Sequence, residues 1–278
     1  MAYKSILTVV LGGMVDGSAL DGAAAMAEAQ DGHLEILALG IDASTPGYYY
    51  AGANAMIEQQ ALERARDEAR RTEEAVKAAM EGRSVRWSVD SGVAQIGTIQ
   101  YMVGNHARFS DLVVLPKPYG SDKGAADEAV LEAALFTGNV PVLVLPRDTA
   151  LTRPQRAVVA WNQSPEAMGA IRGALPLLQE ADLTNIVIVD PPRHSADRSD
   201  PGGALSQMLA RHGVKPEVSV VSGTMPRAAD VIARHCADQN ADLLVMGAYG
   251  HSRFREALLG GATRDMLENA EIPVLMSH

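Results

Sequence analysis

Asp242-Leu243-Leu244-Val245-Met246-Gly247-Ala248-Tyr249-Gly250-His251-Ser252-Arg253, followed by Leu259-Gly260-Gly261-Ala262-Thr263, is the stretch from which the rest of the chain can be read. Its opening run is apolar without alternation, as in a strand covered on both faces of a parallel sheet. Two separated sets of glycines follow. Glycine has no Cβ, so the backbone can bend into φ > 0 and bring its N–H groups close to an anion. From Gly260 onward the pattern reads as a helix start, where unpaired N–H groups favour negative charge. A strand opening into such turns makes room for phosphates, so a nucleotide is the expected ligand.

The same architecture occurs twice. Asp111-Leu112-Val113-Val114-Leu115 matches Asp242-Leu243-Leu244-Val245-Met246 at an offset of 131 residues, and Val140-Pro141-Val142-Leu143-Val144 matches Ile272-Pro273-Val274-Leu275-Met276 at 132. The openings correspond as well, Ile6 to Val10 and Ala157 to Trp161, with a polar, proline-bearing link near Arg147 to Pro154. A fixed period of this kind marks a repeated structural unit. We therefore expect a domain over 1–148 and a second over 154–278.

Within the second copy, short apolar runs alternate with helical patterns. Strands are expected at Ala157–Trp161, Ile186–Val189, Glu217–Val221, Asp242–Met246 and Pro273–Met276, and helices near Pro165–Glu180, Gly203–His212, Pro226–Gln239 and Gly261–Asn269. Such alternation implies right-handed crossovers and a parallel sheet covered by helices. The expected fold class is α/β: two tandem Rossmann-like, doubly wound, five-stranded parallel sheets, each with its ligand crevice at the carboxyl ends of the strands. The first copy has a longer second helix, near Met56–Met80. The last strands, Val140–Pro146 and Ile272–Ser277, read as apolar edges that invite pairing, within the chain or in a homodimer.

Composition narrows the classes. With 34 acidic and 24 basic residues the net charge is −10, which opposes general nucleic-acid binding. Residues 1–150 hold 20 acidic and 12 basic side chains, residues 151–278 hold 14 and 12, so the glycine-bearing half repels an anion less. Cys236 is the single cysteine, which leaves no internal disulfide and no cysteine metal cluster. It falls in the apolar pattern of Val231, Ile232 and His235 and is expected in the core. His194, His212, His235 and His278 show no ligand spacing, so no metal site is expected. No apolar run reaches the roughly 20 residues of a membrane span, and the start of the chain lacks a signal pattern. A cytoplasmic protein that meets neither membrane nor nucleic acid is the expectation.

The spacing Gly247-x2-Gly250-x9-Gly260-Gly261, with His251-Ser252-Arg253, Glu256, Thr263 and Pro273-Val274-Leu275, resembles the ATP-binding signature of the universal stress proteins. With the duplication, the resemblance extends over the whole chain, as in a tandem member of that family on an adenine nucleotide alpha hydrolase-like fold. It implies ATP, with Mg²⁺ admitted alongside it. The adenine side maps to Ala160, Trp161, Asn162, Val189 and Met246, and the phosphate side to Gly247, Gly250, Ser252, Arg253, Gly260, Gly261, Ala262 and Thr263. Asn162 stands where the family commonly has Asp, and Gly261 where it has a hydroxyl residue.

The first copy departs further. Pro116 and Tyr119 replace the first two glycines, and Glu128 and Ala129 take the places of Gly260 and Gly261. Proline removes a donor and a carboxylate repels phosphate. Asp16-Gly17-Ser18 resembles the adenine-side motif but, without a phosphate cradle, reads as a turn. One ATP per chain is expected, in the second copy.

No residue is assigned to catalysis. The chain lacks the Gly-x4-Gly-Lys-Ser/Thr phosphate loop and the kinase motifs. Asp190 and Glu256 are the only candidate bases near the glycines. Neither first loop carries the Gly-x-Gly-x-x-Gly of a dehydrogenase. The expected role is a nucleotide-dependent stress-response switch. The alternatives are a slow ATPase or nucleotidyl-transfer enzyme on the same fold, and an interaction protein with no ligand.

Overall fold

The computed structural model describes residues 2–12, 17–42, 53–191, 200–248 and 262–278. By contacts the chain divides into Tyr3–Val140 and a unit built on Pro141–His278.

In the first unit β1 (Ser5–Leu11), α1 (Gly17–Ala29), β2 (His33–Asp42), α2 (Ala53–Met80), β3 (Arg86–Gln95), α3 (Ile96–Ala107), β4 (Leu112–Pro116) and α4 (Ala125–Glu132) alternate, and α4 runs on into a π-helical turn, Ala133–Gly138. The strands are parallel in the order β3-β2-β1-β4. Ile6, Leu7, Leu37, Leu39, Leu112 and Leu131 are buried in its core. Gly17 and Ser18, expected in a turn, instead open α1; Asp16 lies outside the described residues.

The second unit contains β5 (Val142–Leu145), β6 (Arg156–Ala160), α5 (Pro165–Glu180), β7 (Leu183–Val189), α6 (Gly203–Arg211), β8 (Pro216–Val221), α7 (Ala228–Asp238), β9 (Leu243–Gly247), α8 (Ala262–Asn269) and β10 (Val274–Ser277). Their order is β5-β10-β9-β6-β7-β8. Five strands are parallel and β5 is antiparallel to β10, with Val274 opposite Val144 and Met276 opposite Val142. The sequence pattern assigns β5 to the first copy; its contacts group it with the second. Every residue of β5 and β10 is buried. Neither strand could face water along an open edge without exposing both apolar surface and unpaired backbone groups. The two edges expected to seek a partner pair with each other inside the chain.

The duplication persists at the level of single hydrogen bonds. One Asp111 carboxylate oxygen accepts from Lys4 N at 2.7 Å and Ser5 N at 3.0 Å, tying the start of β1 to β4. Asp242 accepts from the equivalent pair with its two oxygens, Oδ2 from Gln155 N at 2.7 Å and Oδ1 from Arg156 N at 3.0 Å, tying β6 to β9. In both copies the aspartate N–H returns a bond to the neighbouring strand, at Ser5 O and Arg156 O. Asp242→Ala removes two charge-assisted bonds. It is expected to destabilise the second unit by about 1–2 kcal/mol, read as a lowered denaturation midpoint with unchanged m-value.

Cys236 is buried on α7, and burial pushes its thiol up to about 12. It is a core residue, as its place in the apolar pattern implies.

Candidate functional site

β6 is central in its sheet, with β7 and β8 on one side and β9 on the other. Connections therefore leave β6 and β9 in opposite directions. That divergence is a topological switch point, the place where such folds take ligands outside the carboxyl ends of the strands. Pairing of Val159 with Val245 sets the two strand ends at one height. Ala160 and Trp161 thus leave the sheet beside Met246 and Gly247.

The loop after β6 is held by its own side chains. Asn162 Oδ1 accepts from Ser164 N at 3.1 Å, closing a turn in which Gln163 has φ 65°. Ser164 Oγ then caps α5 by accepting from Ala167 N at 3.1 Å, and Pro165 occupies the first helical turn. With its oxygen engaged in the turn, exposed Asn162 keeps its amide N–H groups to donate. Trp161 is half-buried, and its backbone N–H donates to Val187 O at 2.9 Å.

Val189 ends β7, half-buried. Asp190 follows with φ 43°, and its carboxylate accepts from Gly223 N at 3.0 Å. This candidate base is engaged in joining the ends of β7 and β8.

Gly247 ends β9 and corrects the sequence-based reading of the glycines. It is absent from the positive-φ glycines among the described residues, so a left-handed bend does not explain it. A Cβ placed there would lie 2.5 Å from Ala167 N and 2.9 Å from Glu166 C. Glycine is required because the first turn of α5 packs directly on the strand. On the same turn of α5, Glu166 Oε2 is buried with no hydrogen-bond partner among the described residues.

Gly250, Ser252, Arg253, Gly260 and Gly261, with Glu256, lie outside the described residues. Ala262 opens α8, and Thr263 in its first turn is buried. Ala160, Val189, Met246 and Gly247 thus lie at the carboxyl ends of β6, β7 and β9, with Trp161 and Asn162 in the loop after β6.

The topology defines an α/β protein with Rossmann-like, doubly wound parallel strands. The sequence model of the Universal stress protein family matches residues 154–278, the span that holds β6 to β10. A universal stress protein from Synechocystis is 40% identical over 73 residues, 26% of this chain and 24% of that protein. The chain therefore covers about a quarter of that relative's length. Two solved structures share the fold over nearly the full chain. A universal stress protein from Archaeoglobus fulgidus has a TM-score of 0.64 at 16% identity, covering 97% of this chain and 94% of its own. A functionally unknown protein from Pseudomonas aeruginosa has a TM-score of 0.57 at 19% identity, covering 99% and 92%.

Proposed function

We propose that the second unit binds one adenine nucleotide, ATP, in the crevice between β6 and β9, and that occupancy switches a stress-response interaction. The observation that carries this reading is the coincidence of the family match over residues 154–278 with a topological switch point. The half-buried ends at Ala160, Trp161 and Val189 suit an adenine ring, with Asn162 N–H groups as donors on the rim. Phosphates would extend past Gly247 toward the N-terminus of α8, whose dipole favours them. Glu166 Oε2 fits Mg²⁺ accompanying the phosphates: a buried oxygen without a donor is a ready cation ligand.

The first unit is read as empty of nucleotide. At its equivalent helix start, the Asp127 carboxylate accepts from Gly124 N at 2.9 Å and pairs with Lys123 Nζ at 3.4 Å. The protein's own anion sits where a phosphate would. The cavity between Thr8, Leu11, Pro116 and Asp127 is about 70 Å³, well below the roughly 300 Å³ at which ligand pockets begin.

A binding role is favoured over rapid turnover, because Asp190 is committed to Gly223 N and no phosphate-loop lysine is present. Titration calorimetry on the intact chain should give one ATP per chain. Gly261→Glu sets a carboxylate against the phosphate path and is expected to weaken ATP about 100-fold, since like-charge juxtaposition costs several kcal/mol. Equal affinity in the variant would refute the assignment. Steady phosphate release under saturating ATP and Mg²⁺ would favour the slow ATPase instead.

A further inference from the structure

A different constellation lies in the first unit, away from the crevice and independent of the nucleotide reading. Glu35 on β2 faces Ser88 across the ladder, and Asp90 on β3 faces Leu37. Side chains alternate along a strand, so Glu35 and Asp90 stand diagonally on one face. That face is covered by α3: a Cβ at Gly92 would lie 3.1 Å from Met102 Sδ. His106, in the last turn of α3, reaches down to it. One ligand atom from each of Glu35, Asp90 and His106 lies within 4.8 Å of the other two.

His106 Nδ1 is in direct contact with Glu35 Oε1, both half-buried, with side-chain exposures of 30% and 23%. Two carboxylates therefore stand beside one imidazole, and Glu35 alone bonds it. Asp90 is exposed and has no hydrogen-bond or ion-pair partner among the described residues. The nearest arginine on this strand does not neutralise the surplus, because the Arg86 guanidinium is held by Asp31 at 2.7 Å. His33, on the same face, is engaged with Ser88 Oγ at 2.9 Å.

We propose that Glu35, Asp90 and His106 form a binding site for one divalent transition-metal ion of the zinc class. One nitrogen and two carboxylate oxygens on rigid elements suit Zn²⁺, and three protein ligands leave a position for water. Ligands sharing a zinc ion lie about 3–3.5 Å apart, a spacing that side-chain rotation reaches by parting Glu35 from His106 around the ion, from atoms already within 4.8 Å of one another. Ligation through Nδ1 leaves the ring proton on Nε2, and the ion takes the place of the hydrogen between imidazole and Glu35. Exposed Asp90 provides the approach from solvent.

The test is titration of chelator-treated, full-length protein with Co²⁺, followed by its visible d–d absorption, and with Zn²⁺ by calorimetry. The expected result is one ion per chain with affinity reduced at least tenfold in Asp90→Asn. That variant alters an exposed side chain and should melt within about 2 °C of the parent when metal-free. Glu35→Gln should weaken binding further. The chain has seven histidines, so an adventitious site would bind equally in parent and Asp90→Asn. Equal binding, or none below about 0.1 mM metal, would overturn the proposal.

Discussion

Gly247→Val is expected to destabilise the second unit as a whole and not merely to alter ligand binding. The new side chain begins with a Cβ that would lie 2.5 Å from Ala167 N and 3.0 Å from Ala167 Cα. These are backbone atoms of a capped helix turn, so no rotamer change relieves them. α5 must shift off β9, against a helix whose Ala167, Ala170, Ile171 and Ala174 are buried. Overpacking of this kind costs about 3 kcal/mol or more. For a unit of this size that lowers Tm by about 10 °C, measurable by circular dichroism. A melting temperature within about 2 °C of the parent would mean that α5 is free to move there. Loss of ATP binding in this variant therefore says nothing about phosphate contacts, whereas Gly261→Glu isolates them.

The second large effect lies in the first unit. Gly40→Ala adds a single methyl group, yet its Cβ would lie 1.9 Å from Ala65 O and 2.9 Å from Ala69 N. α2 crosses β2 at that point with its backbone against the strand, and Ala65 and Ala69 are buried in the contact. The helix must lift by more than 1 Å along a face that also holds Val76 and Met80. We expect a loss of about 3 kcal/mol or more, seen as an earlier thermal transition. The same methyl at Gly82, where nothing lies within 4 Å, strains only a left-handed backbone with φ 76° and should cost about 1 kcal/mol. Equal melting of the Gly40→Ala and Gly82→Ala variants would refute the packing argument.

Much of the architecture is legible in the amino-acid order because its signals are local. Ser164 and Pro165 mark the start of α5, and the helix runs over the expected Pro165–Glu180. The repeated Asp111 and Asp242 precede β4 and β9 and make the same pair of bonds. Other features depend on what the chain folds against. β5 reads as the close of the first copy, but its partner β10 lies more than a hundred residues away, and only that pairing shows which sheet it extends. Gly247 reads as phosphate chemistry, while its nearest neighbours are atoms of α5. Glu128 reads as the repulsive charge, while in the fold it is its neighbour Asp127 that caps the helix. Glu35, Asp90 and His106 share no spacing at all and meet only because β2, β3 and α3 are layered.

Order along the chain thus determined two alternating α/β copies, since apolar periodicity and turn residues act over a few positions. Tertiary structure alone decided the partner of the strand at 142–145, the reason for the glycine at 247 and the gathering of one imidazole with two carboxylates. Those depend on distances between residues remote in sequence, which are set only when sheets and helices pack.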